Sequence, residues 1–141
     1  MDLSMIGLGL EVIDVVSFAV QLDEPSGRLP WAAFSSAEQA EVGLAEPSRS
    51  RRLAARGAAK LAFLKALQAS DSTAESLLGA PHLSEIEIMK AESGQPVLQL
   101  SGKVAEVASA CLGSEWVALL SLTHEGDTAA AVVVLERLVT L

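Results

Sequence analysis

The apolar positions of this chain follow two rhythms, a strand-like one at both ends and a helical one in the middle. Met5 to Val16, MIGLGLEVIDVV, is almost wholly apolar, and its β-branched end predicts a strand buried on both faces. Gly7 and Gly9 mark a close backbone approach or a bulge in it. Two carboxylates interrupt the run, Glu11 and Asp14. A carboxylate in such a strand must be paired, hydrated, bound to metal, or placed at an exposed end. Phe18 to Leu22 predicts a short helix, and DEPSGRLP, 23–30, predicts a loop. Phe34 to Glu38 carries a serine-then-glutamate helix start.

Ser48 to Ser70, SRSRRLAARGAAKLAFLKALQAS, predicts one long helix, because alanine and leucine dominate it. Pro47 precedes it, and Ser48 is placed to accept a hydrogen bond from the first turn. Arg52, Arg56 and Lys60 recur at helical spacing, which predicts a cationic ridge beside a buried seam of Leu53, Leu64 and Leu67. Farther on, a short helix precedes Pro81 and His82. SEIEIMK and VLQL predict a hairpin about the turn Ser93 to Pro96. Gly102 to Leu112 predicts a helix with Val104, Val107, Ala108 and Cys111 on one face. Glu115 to Leu122 and Thr128 to Leu138 predict two antiparallel strands joined by a polar turn, Thr123 to Asp127, which puts His124 at a strand end. The sum is an α+β fold, an antiparallel sheet packed on one long helix and shorter ones.

The 141 residues suit a single domain, 1–141. The formal charge of −8 argues against duplex nucleic acid as a partner. Six of the ten basic residues nonetheless lie between Arg49 and Lys65, with no acid among them. Such a concentration suits a small anion, an acidic partner, or a merely solvated helix face. No apolar run reaches the ~20 residues of a membrane span. One cysteine, Cys111, rules out an internal disulfide and suits a reducing cytoplasm.

Several segments then match one pattern in order. Gly7-Leu8-Gly9-Leu10-Glu11-Val12 corresponds to a strand Gly-x-Gly-x-Asp-apolar. Phe34 to Glu38 corresponds to a Phe-x-x-x-Glu helix start. Arg56-Gly57-Ala58-Ala59-Lys60-Leu61-Ala62-Phe63-Leu64-Lys65-Ala66 corresponds to Arg-x-Ala-Ala-Lys-Glu-Ala-apolar-x-Lys-Ala. Gly94-Gln95-Pro96 and Ser121-Leu122-Thr123-His124 complete it. By these segments the chain resembles the holo-acyl-carrier-protein synthases, the small type of 4′-phosphopantetheinyl transferase, and its actinobacterial members in particular.

The resemblance implies the 4′-phosphopantetheinyl transferase fold and homotrimers with sites between protomers. It also implies Mg-dependent transfer of the phosphopantetheine arm of coenzyme A to a serine of apo-acyl-carrier protein. On it, Glu11, Lys60 and His124 are the candidate catalytic residues. Arg51, Arg56, Lys60, Lys65, Ser121, Thr123 and His124 are the candidates for holding coenzyme A. Glu11 is the candidate metal ligand, with Asp14 as its possible substitute partner. Two positions depart from the pattern, both at the metal. The strand aspartate is Glu11, and the helix glutamate is Leu61, which cannot ligate a cation. The alternative is therefore a non-catalytic relative that binds coenzyme A or a carrier protein as a structural or regulatory subunit.

Overall fold

The computed structural model describes residues 2–139. Strands β1 (Asp2–Asp14), β4 (Trp116–Glu125) and β5 (Thr128–Val139) form one antiparallel sheet in the order β1-β5-β4. Strands β2 (Ile86–Lys90) and β3 (Pro96–Leu100) form a separate hairpin. Helices α1 (Val15–Gln21), α2 (Ser36–Val42), α3 (Ser48–Ser70), α4 (Ala74–Leu78) and α5 (Gly102–Leu112) complete the described chain.

Helix α3 is the axis of the core. Leu53, Ala54, Ala58, Ala62, Phe63, Ala66 and Leu67 are buried on it. The small residues let it lie close on β1. A Cβ on Gly9 would collide with the Ala62 carbonyl oxygen, and one on Gly7 with that of Ala66. The two glycines are therefore contact points between strand and helix, as their spacing predicts, and a bulge separates Met5 from Gly7. Phe63 packs on Trp116, ring centroids 6.4 Å apart, which joins α3 to β4.

Three local expectations need correction. Strand β1 is buried on one face within the chain, not both. Gly7, Gly9, Glu11 and Ile13 face α3, while Leu8, Leu10 and Val12 are 52–58% exposed. Helices cover only the inner face of the three-stranded sheet, so the alternate positions are left open. Ser48 does not cap α3. The Glu46 carboxylate does so instead, accepting from the Ser50 N–H at 3.1 Å. The polar stretch 123–127 is not a loop. Register runs on through Thr123↔Ala130, His124↔Ala129 and Glu125↔Thr128, and leaves Gly126-Asp127 as a two-residue turn with Gly126 at φ 56°. His124 is thereby held in the ladder.

The start of α2 follows expectation. The Ser35 hydroxyl accepts from the Glu38 N–H at 3.1 Å, and the Glu38 carboxylate accepts from the Ser35 N–H at 2.9 Å. Among the described residues no helix is long and apolar enough to cross a membrane.

Candidate functional site

The basic residues of α3 do not form one exposed ridge. Lys60 is wholly buried. Its ammonium donates to Glu38 Oε1 at 2.8 Å, to the Leu83 carbonyl at 3.1 Å and to the Ile86 carbonyl. Three N–H bonds meet three acceptors, so none is left for a ligand. Glu38 is equally buried, and its other oxygen accepts from the Ile88 N–H at 3.0 Å. The pair thus ties α2, α3 and β2 together. The expectation that Lys60 faces a substrate anion fails on this geometry. Burial pulls its ammonium below the usual lysine value, and Glu38 works against that pull.

Arg56 is also buried. Its Nε donates to the Ile88 carbonyl at 3.1 Å, and its guanidinium pairs with Glu41. It still borders an open cleft of about 350 Å³, lined by Arg52, Ala55, Arg56, Lys90, Leu122, Thr123 and His124. Two basic side chains here, Arg52 and Lys90, are exposed. Of the residues expected from sequence, the cleft assembles Arg56, Thr123 and His124. Arg51 lies half-buried in the first turn of α3 and does not line it, and neither does Ser121 on the outer face of β4. Arg52 and Lys90 were not among the expected site residues. Lys90 ends the strand that runs beside Arg56, a juxtaposition that only the tertiary fold creates.

A second cluster forms on β1. Glu11 points inward and its side chain is 7% exposed. Its Oε1 accepts from Arg28 Nη2 at 2.9 Å. Lys65 Nζ stands 2.7 Å from Oε2 and also donates to the Leu10 carbonyl at 3.1 Å, on the free edge of the sheet. Oε2 is buried with no aligned hydrogen bond, so the ion pair alone compensates it. Burial pushes the Glu11 carboxyl up, but Lys65 and Arg28 outweigh it and hold the group below its ordinary value. Of the options for a carboxylate in this strand, Glu11 takes pairing. Arg28 was missed, although it is the only basic residue before Arg49.

These residues do not fit a magnesium ion. Mg²⁺ asks for near-octahedral oxygen ligands. Glu11 offers two oxygens, and each already faces a cation. Leu61, one turn before Lys65, is half-buried against the core. Asp14 cannot serve beside Glu11. It is exposed and caps α1, accepting from the Ser17 N–H at 2.9 Å, and that bond holds its pKa below the ordinary aspartate value. Among the described residues no group of three His, Cys, Asp or Glu side chains is arranged around a common cation position.

Glu11 and His124, one from each cluster, lie on the two outer strands of the sheet. In the inner-face row Glu11↔Ala131↔Leu122, β5 separates Glu11 from the strand that carries His124.

No protein-family model matches the chain. The holo-[acyl-carrier-protein] synthase of Mycobacterium tuberculosis is 34% identical over 134 residues, 95% of this chain and 98% of that one. The enzyme of the same name from Mycobacterium sp. strain KMS is 35% identical over 96% of this chain and 99% of its own length. Among solved structures, the Chronobacterium ammoniagenes synthase in complex with CoA matches with a TM-score of 0.76 at 30% identity, covering 96% of this chain and 98% of that one. The M. tuberculosis acyl carrier protein synthase matches with a TM-score of 0.67 at 31% identity, covering 95% and 99%. Similarity at this level, over nearly the whole of both chains, shows that the chain belongs to the holo-[acyl-carrier-protein] synthase family of phosphopantetheinyl transferases.

Proposed function

We propose that this chain transfers the 4′-phosphopantetheine arm of coenzyme A to a serine of an apo-acyl-carrier protein. The observation that carries this is the cleft where Arg52, Lys90 and His124 converge, in a chain similar along its whole length to synthases, one of them solved with CoA. In the transfer, the carrier serine oxygen bonds to the phosphorus that bears the pantetheine arm. The bond from that phosphorus to the bridging oxygen breaks, and 3′,5′-adenosine bisphosphate leaves with the electron pair. The serine proton passes to solvent or to a base. Charge grows on phosphate oxygens, so fixed cations lower the barrier.

Arg52, Lys90 and His124, with Thr123 beside them, are assigned to the nucleotide's phosphates. Lys65 and Arg28, oriented by Glu11, are assigned to the diphosphate. Lys60 becomes a positioning residue that fixes α3 against β2. The magnesium dependence that the resemblance implies would rest here on Glu11 alone, and no step is assigned to it.

The two clusters share no residue, and β5 lies between their strands. A site that uses both is best completed between copies of the chain, as a homotrimer. The outer sheet face supports this, with Leu8, Leu10, Val12, Val117 and Leu119 all exposed on it. An apolar patch of that kind marks an interaction surface. The protein's place is the cytoplasm, where carrier proteins and coenzyme A meet it.

Leu61 favours a second reading, a relative that binds coenzyme A or a carrier without turnover. Incubation with coenzyme A and several apo-carrier proteins, read by intact mass, separates the two. Modified carrier supports the transferase, and bound coenzyme A with unmodified carriers supports the second reading.

A further inference from the structure

We propose, on the strength of the coenzyme A reading above, that Lys65 and Arg28 grip the coenzyme A diphosphate directly and stand where a divalent cation would otherwise be needed. Three observations converge on this. Glu11 is a buried carboxylate with a cation on each oxygen, at 2.9 and 2.7 Å. Both cations remain about half exposed, at 57% for Arg28 and 51% for Lys65. They can therefore face Glu11 and a ligand together. The Lys65 ammonium has three N–H bonds, and Glu11 Oε2 and the Leu10 carbonyl take two of its directions, which leaves one for an arriving oxygen.

Charge balance points the same way. A dication held by two carboxylates is neutral as a group. The lysine at the position of Lys65 belongs to the family pattern as well, so what replaces the neutral metal group here is Glu11 with Arg28, which is neutral too. Replacing a helix carboxylate by Leu61 removes the competitor that would otherwise draw Lys65 along the helix, since residues four apart meet on one face. Guanidinium and ammonium are both established phosphate binders, the first through a planar fork and the second as a point charge. Glu11 then acts as the anchor that orients two cations, rather than as a metal ligand.

The test is calorimetric titration of coenzyme A into the full-length protein, with EDTA and then with excess Mg²⁺. Paired titrations of Mn²⁺ with coenzyme A present are followed by electron paramagnetic resonance. The expected result is a coenzyme A affinity that chelation leaves essentially unchanged, and no Mn²⁺ bound beyond what coenzyme A holds in protein-free solution. In EDTA, Lys65→Gln and Arg28→Gln should each weaken binding about 10- to 100-fold, the scale of a hydrogen bond to a charged group. Lys65→Arg should retain most of the affinity, which guards against a folding effect of the neutral variant. Leu61→Glu should create Mn²⁺ binding where the parent has none.

A loss of coenzyme A affinity beyond about tenfold on chelation overturns the proposal and leaves the coenzyme A reading standing. Unchanged affinity in both glutamine variants overturns it as well. Failure of coenzyme A to bind in either buffer overturns the coenzyme A reading and this proposal with it.

Discussion

The Lys60 ammonium meets Glu38 Oε1 at 2.8 Å, and neither side chain reaches solvent. A buried pair of this kind is costly to break, because the survivor is left charged in a low-dielectric interior. Lys60→Met should therefore lower folding stability by about 3–5 kcal/mol. Urea unfolding followed by circular dichroism measures it. A loss of transfer without loss of stability would return Lys60 to the chemistry.

The cleft residues should behave in the opposite way. Arg52→Ala and His124→Ala are each expected to weaken coenzyme A binding by about 1.5–3 kcal/mol while leaving the unfolding midpoint near that of the parent. Arg56→Ala should instead cost about 1–3 kcal/mol of stability, since it leaves the buried Ile88 carbonyl without its donor. Calorimetry and urea unfolding on the three variants distinguish ligand-facing cations from a structural one.

Glu11 carries a pH dependence with a definite sign. Its carboxyl titrates below the ordinary glutamate value in the folded chain, so its ion pairs add stability that is complete above the unfolded value, ~4.3. That contribution is lost as pH falls through the folded value. Glu11→Gln should be less stable than the parent at neutral pH, and the deficit should close in acid. Urea unfolding of both proteins across that range is the measurement. A deficit that stays constant would mean that the ion pairs contribute nothing to folding.

The exposed face of β1 predicts assembly. Light scattering should give the mass of a trimer, and Leu10→Asp should shift it to a folded monomer with near-parental circular dichroism. Leu10 is 58% exposed in the single chain, so the substitution disturbs packing only if another copy covers it. A parent that is monomeric at micromolar concentration would contradict the inter-protomer site.

What could be read beforehand divides along a physical line. Helix α3 was legible to its ends, because propensity and periodicity are local properties of Ser48–Ser70. The close approach at Gly7 and Gly9 was legible too, since only a missing side chain lets strand and helix meet so tightly. The direction of each cation was not. Lys60 and Lys65 look alike in sequence, yet the first ends among carbonyls of Leu83 and Ile86 and the second on the free edge of β1. That difference depends on which strand packs against which turn of α3. Arg28 and Lys90 reach their clusters from a loop and from the hairpin, and no local spacing links them to Glu11 or His124. The single-faced burial of β1 reflects the number of layers, which the strand's own residues do not encode.

Intact-mass spectrometry of the carrier reads phosphopantetheinyl transfer itself. The protein is incubated with coenzyme A and a panel of apo-acyl-carrier proteins, once with Mg²⁺ and once with EDTA. At least one carrier should gain the mass of a single phosphopantetheine arm, with 3′,5′-adenosine bisphosphate released in equal amount. Carrier in the EDTA arm should be modified as well. Carriers that all stay at their apo mass in both arms, beside a protein that binds coenzyme A, would contradict the transferase and leave a binding subunit in its place.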